Sequence, residues 1–167
     1  MSATVLPFNL PPTACRAADL ATRVFSELSC IKQALDAADD AIEAAPRIDL
    51  SALREAVEEV LALNLVSEGD AAFARNSIAT LASVLAQPCR RGLRYRRASW
   101  TCFAIEDIAA ITWLAWRHAR GWDADFAGDQ STIGLAYCRA HDAGHDVYRA
   151  LCAAIHHKKK PVTKTGF

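Results

Sequence analysis

The run from Trp100 to Trp116 constrains this chain more than any other stretch. It carries Trp100, Phe103, Ile105, Ile108, Ile111, Trp113, Leu114 and Trp116. On a helix these side chains reach nearly every face, and a helix that is apolar all round is a buried one with neighbours on several sides. The spacing therefore predicts a central helix from Ser99 to about Arg120, with its tryptophans in the core. Glu106 and Asp107 interrupt the run and leave it too short for a membrane span. If buried, each acid needs a partner, and an arginine from the preceding basic stretch would serve.

The rest of the chain reads as helices packed around that centre. The expected fold is all-α, an antiparallel bundle of about five helices with a long first helix. At 167 residues the chain has the size of one domain with a substantial core. Hydrophobic content is 52%, and glycine and proline number only 7 and 6. Residues 1–12 read as an extended tail, because Pro7, Pro11 and Pro12 oppose a regular helix. The domain is then 13–157, followed by a basic tail over 158–167. Thr13 would cap the first helix, which Pro46 stops after Ala45. Its apolar positions, Val24, Leu28, Ile31, Leu35, Ala38 and Ile42, alternate steps of four and three. That heptad seam suits an antiparallel neighbour or a second copy of the chain, so a homo-oligomer through the first helix is one expectation. Asp36, Asp39, Asp40 and Glu43 lie on its outer face.

A second helix starts near Asp49 or Ser51 and turns Leu53, Val57, Val60 and Leu61 inward. A turn with a new cap follows at Ser67 to Asp70. A third helix, from about Asp70 to Ala86, buries Ala74, Ile78, Leu81 and Leu85 and ends before Pro88.

Formal net charge is zero, yet the halves differ. Residues 1–85 hold 6 Lys+Arg against 12 Asp+Glu, and residues 86–167 hold 13 against 7. The densest charge is Arg90, Arg91, Arg94, Tyr95, Arg96 and Arg97, five arginines in eight residues beside one tyrosine. Arginine forks bind carboxylate or phosphate in pairs, and tyrosine stacks on bases. These six residues are the candidate partner-binding site, for an acidic protein or a nucleic acid. A connection between helices whose arginines pair with the acidic half of the same chain reads equally well, because the charges balance. The tail from His156 to Lys160 adds to the basic surface.

A fifth helix is expected from Ser131 or Thr132 to His157. Cys138, His141, His145, Cys152 and His156 lie within roughly 60° of one line on it, beside the core face of Ala136, Ala140, Ala143, Val147, Leu151 and Ala154. His141 and His145 are one turn apart and Cys138 precedes them by one turn, so the three form a candidate metal site whose sulfur and imidazole donors suit zinc. Asp142 and Asp146 point further round and would support the ligands from outside. The same stripe also reads as a polar helix face with two cysteines packed as small apolar residues. The string His141-Asp142-Ala143-Gly144-His145 resembles the doublet motif of the HD-type metal phosphohydrolases. That resemblance implies an all-helical fold, His118 as a first ligand, and His141 with Asp142 as the doublet. The family's last ligand, a downstream Asp, has no counterpart, since no acid follows Asp146.

Gly121 to Ser131 reads as a loop. As a calcium loop it lacks its fifth ligand and has Gly134 in place of the closing Glu, which excludes calcium. There is no phosphate-cradling glycine loop, no nucleophile elbow and no dinucleotide fingerprint. A Cys138–His141 nucleophile would lack a third orienting group. Six cysteines without a C-x-x-C pair, and a start without a secretory signal, lead us to expect reduced thiols and a cytoplasmic location. The function these features favour is non-enzymatic: a helical protein that binds a macromolecular partner, most plainly another protein. A metal-dependent hydrolase on the His/Cys stripe and a nucleic-acid binder on the arginine cluster are the alternatives.

Overall fold

A computed structural model describes residues 11–38, 48–86, 94–121 and Cys138. Among them are four helices and no strands: α1 Pro12–Ala38, α2 Ser51–Leu61, α3 Glu68–Leu85 and α4 Arg94–Arg120. The chain is all-α over the described residues. The expected end of the first helix, the loop after Gly121, the fifth helix apart from Cys138, and both tails lie outside them.

One apolar core joins all four helices. From α1 it takes Leu20, Val24, Phe25, Leu28 and Ile31. From α2 come Leu53, Val57, Val60 and Leu61, and from α3 Ala74, Ile78, Leu81 and Leu85, as the spacing predicts for both. The described part of the α1 heptad seam, Val24, Leu28 and Ile31, is thus buried inside the chain. Each such side chain contributes about 1.5–3 kcal/mol on burial. Helix α4 packs against α1, α2 and α3, most extensively against α3.

The helix ends follow local chemistry. Pro12 does not exclude helix but begins it: the Pro11 carbonyl accepts from the amides of Ala14 and Cys15. Proline suits the first helical position, whose amide would have no partner, so Thr13 lies inside α1. At α2 the Asp49 carboxylate accepts from the Ser51 amide at 2.9 Å. Hydrogen bonds from Ser51 hold the Asp49 carboxyl below its usual range. Ser67 caps α3: its Oγ accepts from the Asp70 amide at 3.1 Å and donates to the Asp70 carboxylate at 2.6 Å. The helix accordingly starts at Glu68, two residues before the predicted start.

Helix α4 departs most from expectation. It begins at Arg94, so half of the predicted basic connection is its first turns. It ends at Arg120, and Gly121 follows with a φ of +64° that favours glycine and an amide that donates to the His118 carbonyl at 3.0 Å.

Candidate interaction surface

At 100° per residue, Thr101, Ala104, Ile105, Ile108, Ala109, Thr112, Ala115 and Trp116 share the broad buried side of α4. Trp113 and Trp116 are in the core as predicted, with ring centroids 4.9 Å apart. The Arg120 guanidinium stands 4.7 Å from the Trp116 ring, a cation–π contact one turn further on.

Trp100 and Phe103 do not join them, which corrects the expectation of an all-round buried helix. They are 50% and 54% exposed. With half-buried Asp107, exposed Ala110 and half-buried Leu114, they fall in an arc of about 80° on the outer side of α4. On α3, the positions Phe73, Ser77, Thr80 and Val84 share one face within about 60°. Phe73 is 51% exposed. The Ser77 hydroxyl donates to the Asp107 carboxylate at 3.2 Å and ties the two rows together. The outcome is a seam between α3 and α4 with a polar link in its floor and three uncovered aromatic rings along it.

Among the described residues the acids of α4 meet a hydroxyl and a thiol. Asp107 takes Ser77, and the Cys102 thiol donates to the Glu106 carboxylate at 3.3 Å. Burial raises the Asp107 pKa; the Ser77 bond opposes this and the charge of Glu106 adds to it. Burial, with the neighbouring Glu106, pushes the Cys102 thiol up to about 12. That thiol is a buried apolar group, not a nucleophile.

The acids of α2 are met from within the described helices. Arg23 bridges Glu55 and Glu59, both at 2.9 Å, and Arg75 forks onto Glu58 at 2.8 Å for each bond. Arg75 holds the Glu58 carboxyl below its usual range. Hence, among the described residues, Arg23 and Arg75 serve the acids of α2.

Of that cluster, Arg94, Tyr95, Arg96 and Arg97 occupy the first turns of α4, while Arg90 and Arg91 lie outside the described residues. The register puts position 96 one turn before Trp100. No acid occurs between Asp70 and Glu106, against six arginines. The first turn of α4 has no acidic residue either.

Of the predicted metal site, Cys138, His141 and His145, one residue is described. Cys138 is helical, half-buried and a thiol, whereas His141 and His145 lie outside the described residues. Among the described residues no group of three His, Cys, Asp or Glu side chains is placed to hold an ion. His118 has a structural contact through one ring nitrogen. Its Nδ1–H donates to the Leu65 carbonyl and ties the α2–α3 connection to the end of α4. A cleft of about 480 Å³ lies between the start of α2 and the end of α3, lined by Ile48, Leu50, Arg54, Ala82 and Leu85. Asp49, Ser51 and Arg54 form its polar side, and the Asp49 carboxylate there accepts from the Ser51 amide. No described helix is long and apolar enough to cross a membrane.

Phe73 was missed by sequence reasoning. Its signal was a large apolar residue adjacent to, but off, the inward row of Ala74, Ile78, Leu81 and Leu85. Comparison with known protein families, with characterised proteins and with solved structures finds no match to this chain.

Proposed function

We propose that the protein is a non-enzymatic interaction module: an antiparallel bundle of about five helices, with residues 132–157 as the fifth, that binds another protein through the outer seam of α3 and α4. The observation that carries this reading is the pair Trp100 and Phe103, adjacent on one rigid helix and half in water. Aromatic side chains with arginine nearby are the groups that dominate protein–protein contacts. Uncovering two rings side by side forgoes burial that the central helix otherwise achieves along its length.

A photoreactive phenylalanine at position 103 tests this in lysate of the native host, with the same residue at exposed Ala52 of α2 as control. The expected result is an adduct at 103, absent at 52, that protease removes and nuclease does not. An adduct removed by nuclease, or none above the control, overturns the reading.

A further inference from the structure

We draw no further inference here: the strongest candidate, the seam between α3 and α4 with Phe73, Trp100 and Phe103 uncovered along it, belongs to the surface already described, and nothing in the structure shows what covers it.

Discussion

Single side chains in α4 record what the interior tolerates. Thr112, buried, directs its hydroxyl to the Ile108 carbonyl of its own helix at 2.8 Å. Thr101, 1% exposed, has no partner for its Oγ1 among the described residues. Burial of a hydroxyl without a hydrogen bond costs about 1–3 kcal/mol. Thr101→Val keeps the shape and removes the hydroxyl, so it should stabilise the protein by about 1 kcal/mol, seen as a raised urea midpoint; a lowered midpoint would show that the hydroxyl is satisfied after all. Asp107 carries the other cost. Its folded pKa is raised by burial, so the folded state is penalised once the carboxylate ionises. Stability from this group is complete below the unfolded pKa near 4 and is lost as pH rises through the folded pKa. Asp107→Asn should therefore stabilise at pH 7 and make no difference at about pH 3, where both states of the parent are protonated. Urea titrations at the two pH values measure it, and an equal gain at both would contradict the assignment.

At the scale of elements, period and punctuation decide what can be read in advance. The inward rows of α2 and α3 stand in the sequence as helical spacings, and each member lies in the core. Leu81, fully buried between α3 and its neighbours, is the sharpest check: Leu81→Ala should cost about 2–5 kcal/mol of unfolding free energy, while a loss under about 1 kcal/mol would place that face outside the core. Ends are less legible because proline has two meanings. Pro12 reads as an obstacle to helix and instead begins one, since the first turn needs no amide there. Dense arginine suggests a loop, but arginine is a good helix former, and nothing between Leu93 and Trp100 breaks α4. The seam itself is hidden in the sequence for a physical reason. Hydrophobicity says that Trp100 and Phe103 favour burial, whereas whether a neighbour arrives to bury them depends on how α3 and α4 pack. His141 and His145 remain a spacing in the sequence, with only Cys138 of that stripe among the described residues.

For the whole molecule, the described tryptophans divide into two populations. Trp113 and Trp116 are sealed, and Trp100 meets solvent. Iodide should quench a fraction of the native emission that falls sharply in Trp100→Phe; an unchanged quenchable fraction would mean that the ring is covered. The central position of α4 reaches further. Helices α1 and α3 each lie along α4, and α2 touches all three, so α4 is the axle on which the other rods turn. Withdraw it and no remaining pair keeps a closed interior. Among the described helices, none is set apart to melt first and leave the others standing. Heating should therefore give one transition, with backbone ellipticity and indole fluorescence sharing a midpoint.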